Sequence, residues 1–289
     1  MAVGGSVRVV LLTAIAMLAF AANSLLARLA LNTPEAAPLL FTGIRMLAGA
    51  LTLAVLLALR AGPSALFPVA GNWPAAAALF GYALLFSLAY TLLGAGNGAL
   101  ILFASVQFGM LGRAILMGDR PGPLEWLGLV IALAGLVYLL SPGLVAPDAL
   151  GSFMMAGAGL CWAAYTLLGR GSTTPLVDTA GNFIRGLPLA LALALAGIAG
   201  SGLPLLPVLY AVLSGALASG LGYAVWYGVL PRLSRIRAGI VQLTVPAIAA
   251  IGGVLLIAEP LTPRLLSASA AILGGVALAL VAGGRRRGG

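Results

Sequence analysis

Residues 19–28 read AFAANSLLAR, and residues 161–170 read CWAAYTLLGR. Laid over one another, the two decapeptides match Ala21 to Ala163, Ala22 to Ala164, Leu25 to Leu167, Leu26 to Leu168 and Arg28 to Arg170, with Phe20 opposite Trp162 and Ser24 opposite Thr166. Alanine and leucine matches carry little weight in a chain this apolar; charged residues and prolines carry more. Outward from the decapeptides, Ile44-Arg45 recurs as Ile184-Arg185, Asp119 as Glu259, Pro123 as Pro263 and Gly135 as Gly275, each pair 140 positions apart. The decapeptides themselves lie 142 positions apart, and similarity at a nearly constant offset marks a duplicated unit. One copy is expected in residues 1–145 and the other in 146–289, with no soluble domain in either.

Of the 289 residues, 62% are hydrophobic and 7% charged, with a mean hydropathy of +1.15, whereas a soluble domain is roughly 25% charged. Such a chain dissolves in lipid, where about 20 apolar residues make one spanning helix. Apolar stretches bounded by Pro, Gly or charge predict ten spans: 8–30, 37–59, 74–93, 96–117, 123–141, 149–169, 177–199, 206–229, 237–258 and 263–283. Five spans per copy is an odd number, so the second copy enters the membrane from the opposite face. The fold class is therefore an all-α integral membrane protein of ten transmembrane helices in two inverted five-helix repeats.

The arginines set the direction. With a cytoplasmic N-terminus, Arg8, Arg60, Arg113, Arg120, Arg170, Arg232, Arg235, Arg237, Arg285, Arg286 and Arg287 fall at inside ends, against Arg28 and Arg264 at outside ends. That asymmetry favours ten spans with both termini in the cytoplasm over nine, the count if the third and fourth spans, separated by Gly94 to Gly98, were one bent helix. Met1 to Arg8 followed by an apolar run imitates a secretory signal, with Ala19 and Ala21 as a cleavage site. The run continues through Leu31, so it is read as an uncleaved first span.

Composition also excludes. The arginines alternate along the chain rather than cluster, which disfavours nucleic acid as a partner. The single cysteine, Cys161, forbids an intramolecular disulfide, and with no histidine neither metal catalysis nor a cofactor is expected. The acids Glu35, Asp119, Glu125, Asp148, Asp178 and Glu259 all lie near span ends, so an intramembrane enzyme lacks its acid, base or metal site. An inverted repeat supplies inward-facing and outward-facing packings from one sequence, which makes alternating access the natural function. Without a mid-membrane carboxylate or histidine to carry a proton, uncoupled transport or exchange is expected. The 40 glycines suit close helix packing; Ser267, Ala271, Gly275 and Ala279 form a small-residue stripe on the tenth span, and Gly128 and Ala132 begin one on the fifth.

Several residues are candidates for the transport path. Arg45 lies about 10 Å into the second span, and Arg185 similarly deep in the seventh. A charge near mid-membrane costs about 2.5–3.5 kcal/mol, so each either steers a carboxylate at a mouth of the path or snorkels and caps backbone carbonyls. Tyr82, Phe86 and Tyr90 form one face of the third span, Tyr223, Trp226 and Tyr227 one face of the eighth, and Trp162 and Tyr165 are three apart on the sixth. These rings either stack on an apolar or aromatic substrate or pack as anchors. Asn23, Gln107, Asn182 and Gln242 lie deep in apolar spans, where an unsatisfied amide is costly. Pro246 removes the donor that would bond the Gln242 carbonyl, and Pro188 does the same for Ile184, beside Arg185. The expected substrate-binding set is Asn23, Tyr82, Tyr90, Gln107, Trp162, Tyr165, Tyr223, Trp226 and Gln242, with Arg45, Arg185, Pro188 and Pro246 for gating or charge steering.

Two five-helix halves, with Glu259-Pro260-Leu261-Thr262 before a Gly-rich last helix, resemble the EamA-type carriers of the drug/metabolite transporter superfamily over essentially the whole chain. Pro246, thirteen residues before the Glu-Pro-Leu-Thr motif, matches that family's second-half pattern. The first half departs from it: Val106 replaces the proline, and Asp119-Arg120-Pro121-Gly122 is a worn copy of the motif. In general look the chain is similar to bacterial aromatic amino acid exporters. The resemblance implies a ten-helix basket around a central cavity in the bacterial inner membrane, exporting amino acids, aromatic or otherwise apolar, and related small metabolites. The alternative expectation is broad, proton-coupled efflux of drugs or quaternary amines. Expected partners are a small-molecule substrate and the lipid bilayer, and a monomer is compatible with the pattern.

Overall fold

A computed structural model describes residues 3–31, 37–93, 95–141, 148–257 and 261–285, all of whose regular elements are helical. Glu35, Gly94, Arg286, Arg287 and the Glu259-Pro260 half of the family motif lie outside the described residues. The helices are α1 (Val3–Leu31), α2 (Pro38–Ala61), α3 (Trp73–Leu92), α4 (Ala95–Leu116), α5 (Pro123–Leu140), α6 (Ala149–Gly169) and α7 (Pro175–Ser201). They continue with α8, which runs through Leu205–Leu213, a π-helical stretch Ser214–Leu221 and Gly222–Val229, then α9, in two arms Arg235–Gln242 and Thr244–Ile257, and α10 (Pro263–Arg285).

Their ends follow from local chemistry. In lipid the first backbone N–H groups of a helix need partners. Asn72 Oδ1 accepts from Ala75 N at 2.8 Å, Asp148 Oδ1 from Gly151 N at 2.7 Å, and Ser234 Oγ from Arg237 N at 3.2 Å. At α5, Glu125 reaches back to accept from Gly122 N at 2.7 Å. Proline opens α2, α3, α5 and α7, where its missing donor costs nothing. Two of the acids expected at span ends, Glu125 and Asp148, thus act as caps.

Among the described residues nine helices are long and apolar enough to cross a membrane; α7 adds a tenth if its arms Pro175–Arg185 and Leu187–Ser201, bent by 47°, count as one span. Pro188 explains that bend, because it cannot donate to the Ile184 carbonyl. The third and fourth spans are separate helices. The eighth departs from the continuous α-helix expected, and the ninth is interrupted near Pro246, where a missing donor was expected. The π-helical segment gives Gly222 N a partner five residues back, the Leu217 carbonyl, and α9 breaks at Leu243, three residues before Pro246. Leu59, Leu116, Phe153 and Leu256 are exposed, as lipid-facing side chains should be.

The packing records the inverted repeat. Moving every helix on by five turns α3–α6 into α8–α1 and α4–α6 into α9–α1, and all four are packed pairs. α2 packs on α7, and α5 on α10, each against its own repeat mate. Both pairs run antiparallel: Gly197 meets Leu40, Gly43 meets Ala190 and Ala194, and Gly49 meets Phe183. Gly128 meets Gly275 and Ala279, while Gly135 meets Ala271 and Ile272. The small-residue stripes on the fifth and tenth spans are thus one backbone-to-backbone contact, too tight for a Cβ on Gly128 or Gly275.

Candidate functional site

Between the halves lies a cleft with about 430 Å³ of space between its lining atoms, part of it open to the outside. Phe20, Asn23 and Ser24 of α1, Tyr82 and Phe86 of α3, Leu102, Phe103 and Val106 of α4, Trp162 of α6, Tyr223 of α8, and Gln242 and Val245 of α9 line it. Little of that space is wide enough for water. Aromatic rings crowd its walls. Trp162 is the hub: its ring centroid is 5.0 Å from Tyr82, 5.0 Å from Tyr223, 5.3 Å from Phe20 and 6.0 Å from Tyr165. Phe20 and Trp162 are repeat mates, so residues equivalent under the duplication meet edge to face at the centre.

The polar groups are few. Trp162 Nε1 donates to Gln242 Oε1 at 2.5 Å, and Gln242 Nε2 donates to its own helix at the Ala238 carbonyl, 2.8 Å away. The broken ninth span therefore presents Gln242 to the aromatic hub, with Pro246 buried one turn on. Asn23 Oδ1 accepts from Ser214 Oγ at 2.6 Å, tying α1 to the start of the π-helical stretch.

The expected site residues do not all converge. Tyr90 stacks on Phe86 at 4.6 Å, one ring beyond the lining. Tyr165 backs Trp162 and Tyr223, and Trp226 backs Phe20 at 5.7 Å with its Nε1 unbonded. Gln107 faces away from the cavity lining and donates to the Gly239 carbonyl at 2.6 Å, fastening α4 to α9. Pro188 is exposed on the outer side of α7. Phe20, Ser24 and Phe103 were absent from the expected set. The pairing of Phe20 with Trp162 in the repeat was the signal for the first; Ser24 and Phe103 carry none.

Arg45 is 1% exposed and lies against this cluster. Its Nε donates to Ser219 Oγ at 3.0 Å and its Nη2 to the Tyr223 hydroxyl at 3.1 Å, while Nη1 has no hydrogen bond. The guanidinium carbon is 5.3 Å from the Tyr82 ring centroid and 5.9 Å from that of Phe86. The four described acids are engaged elsewhere: Asp119 with Arg235 at 2.9 Å, Glu125 and Asp148 as caps, and Asp178 with Gly71 N and Ser172.

Arg185, its repeat mate, is not part of the cavity lining. It donates to the Ala70 carbonyl, to the Val69 carbonyl at 2.9 Å and to Gly181 within its own helix at 3.4 Å. Trp73 covers it at 5.7 Å. Beside it Asn182 accepts from Asn72 N at 3.0 Å, and Asp178 from Gly71 N at 3.1 Å. α7 thereby straps down the segment before α3.

The sequence is matched by the EamA-like transporter family twice, over residues 7–141 and again over 149–281. Uncharacterized protein PA1977 of Pseudomonas aeruginosa is 52% identical over 278 residues, 94% of each chain. The threonine/homoserine exporter RhtA of Escherichia coli K12 is 33% identical over 171 residues, 57% of each chain. A crystal structure of a protein 23% identical in sequence superposes with a TM-score of 0.77 over 94% of this chain and 97% of its own, a likeness of fold.

Proposed function

This chain belongs to the EamA-like transporter family, and we propose that it exports amino acids with apolar or aromatic side chains, and related small metabolites, by alternating access through the central cavity. A transporter of this family works on a small molecule in a lipid bilayer. The finer reading rests on one observation: a cavity between inverted halves walled by Phe20, Tyr82, Phe86, Trp162 and Tyr223, with its few polar groups on Asn23, Ser24, Gln242, the Trp162 indole N–H and the hydroxyls of Tyr82 and Tyr223. Apolar walls with a few convergent polar groups suit a ligand with one apolar and one polar end. The likeness to a threonine/homoserine exporter supports amino acids as cargo.

In this reading the rings occupy the space the substrate needs, so entry requires Trp162 and its neighbours to part. The break at Leu243 and the bend at Pro188 are the places where α9 and α7 give. Tyr90, Tyr165 and Trp226 support the inner rings. Gln107 holds α4 and α9 together as they move, and Pro246 keeps the carbonyls near Gln242 free. Transport is uncoupled or runs by exchange, in the inner membrane of a bacterium with both termini in the cytoplasm.

The ring box also suits a quaternary amine, which aromatic faces bind without a carboxylate. Arg45 behind Tyr82 and Tyr223 opposes that cargo by like charge. The test is counterflow in proteoliposomes preloaded with mixed amino acids and probed with labelled phenylalanine, threonine and a quaternary amine, with and without a pH gradient. Uptake of an amino acid driven by its unlabelled counterpart and indifferent to pH supports the reading. Movement of the amine alone, and only with a proton gradient, overturns it.

A further inference from the structure

We infer that Arg45 is the carboxylate-binding residue of the cavity, reached by substrate when the rings of Tyr82 and Tyr223 separate. This rests on the transporter reading and narrows its cargo to small molecules bearing a carboxylate. The argument is a count of donors and acceptors. A guanidinium offers five N–H donors and no acceptor. Around Arg45 the bonded acceptors are the hydroxyl oxygens of Ser219 and Tyr223, while Nη1 is buried and bonds to nothing.

A hydroxyl that accepts from the guanidinium still has its own O–H to give. Tyr223, and Tyr82 beside it, therefore add donors to a cluster already in surplus. A buried site rich in donors, positively charged and, among the described residues, without a carboxylate of its own is the complement of an anion. A carboxylate takes two parallel N–H bonds from the guanidinium fork and one more from a tyrosine hydroxyl. It also relieves the cost of a lone charge at this depth.

The placement fits the rest of the cavity. Tyr82 and Tyr223 both cover Arg45 and line the cavity, so a carboxylate reaching between them leaves the remainder of the molecule among Phe20, Trp162 and Phe103. Ser219, on the π-helical stretch of α8, holds Nε and fixes which edge of the fork faces the rings. Arg185 cannot share this role in the state described, since its donors are given to Val69, Ala70 and Gly181.

The experiment is competition for counterflow of labelled phenylalanine and threonine in proteoliposomes, using 3-phenylpropionate, phenylalaninamide and phenethylamine as competitors. Wild-type protein should be inhibited by 3-phenylpropionate and not by the amide or the amine. Arg45→Gln should lower counterflow of the amino acids at least tenfold and abolish the preference for carboxylates. Arg45→Lys, which keeps charge without the fork, should restore part of it. Tyr223→Phe, which removes a hydroxyl and keeps the ring, should lower it severalfold; with Arg45→Lys it carries the test if Arg45→Gln does not fold. Amino acid counterflow unchanged in Arg45→Gln, or in Tyr223→Phe and Arg45→Lys together, overturns the carboxylate site and leaves the exporter reading standing. A wild-type protein that moves a quaternary amine and neither amino acid overturns both.

Discussion

Arg45 and Arg185 follow the same residue, Ile, at the same depth of mated helices, yet one lies unneutralised against a cavity and the other is spent on three carbonyls. The difference comes from what each meets. Arg45 faces α8 where it runs as a π-helix, a form frequent at functional sites, and Ser219 and Tyr223 of that region point at it. Arg185 faces the segment before α3, where Gly71, in the left-handed region at φ +79°, turns the chain. Gly181 lets the Ala70 carbonyl approach closer than any Cβ would allow. A duplicated sequence thus fixes where two charges sit along the chain, and unduplicated neighbours decide what each does.

The largest effect should come from removing the cavity arginine: Arg45→Gln is expected to cut amino acid counterflow at least tenfold with little loss of melting temperature, as the removed charge has no carboxylate partner among the described residues. The mate should behave oppositely. Arg185→Gln forfeits charge-assisted bonds to carbonyls, worth about 1.5–3 kcal/mol each when fully buried. For this half-buried side chain a total loss of about 2 kcal/mol is expected in thermal unfolding, with the order of competitors unchanged. If Arg185→Gln instead changed which competitors bind, the division of labour between the arginines would be wrong.

Gly181→Ala attacks the strap without touching a charge. Forcing a Cβ onto the Ala70 carbonyl should cost about 1–3 kcal/mol, as overpacking does, read as a lower melting temperature. Within the cavity, Gln242→Leu leaves the Trp162 N–H without its partner, and a loss of about 1–2 kcal/mol of stability is expected, with a shift in tryptophan emission. The smallest effect belongs to Asp119→Asn. Its ion pair with Arg235 is about a quarter exposed on both sides, and exposed pairs contribute about 0–1 kcal/mol; a change below 0.5 kcal/mol is expected.

Much of this architecture is written in the sequence. Long apolar windows bounded by proline, glycine and charge mark the helices because lipid forbids alternatives, and Pro188 and Pro246 each lie beside an irregularity where a donor is missing. The π-helical turn of α8 has no such mark: SGALASGL contains nothing that ordinary α-helix excludes. Side-chain direction was equally hidden. Gln107 and Gln242 are the same amide at similar depth, and helical spacing alone does not say that one faces a neighbouring backbone and the other an indole. Phe20 among alanines looked like filler until its mate, Trp162, met it across the axis.

The antiparallel contact of α5 with α10 bears on inheritance. Were the halves separate identical chains, they would meet through the same surface used twice, and every substitution would appear on both sides at once. Joined in one chain, they can diverge one side at a time. The glycines at that seam have little freedom to use this, because each faces the other's backbone. Away from the seam the halves differ: Val106 stands where its mate region carries Pro246, and Arg45 lies against the cavity while Arg185 braces the segment before α3. Fusion turns a symmetric pore lining into two independently variable walls.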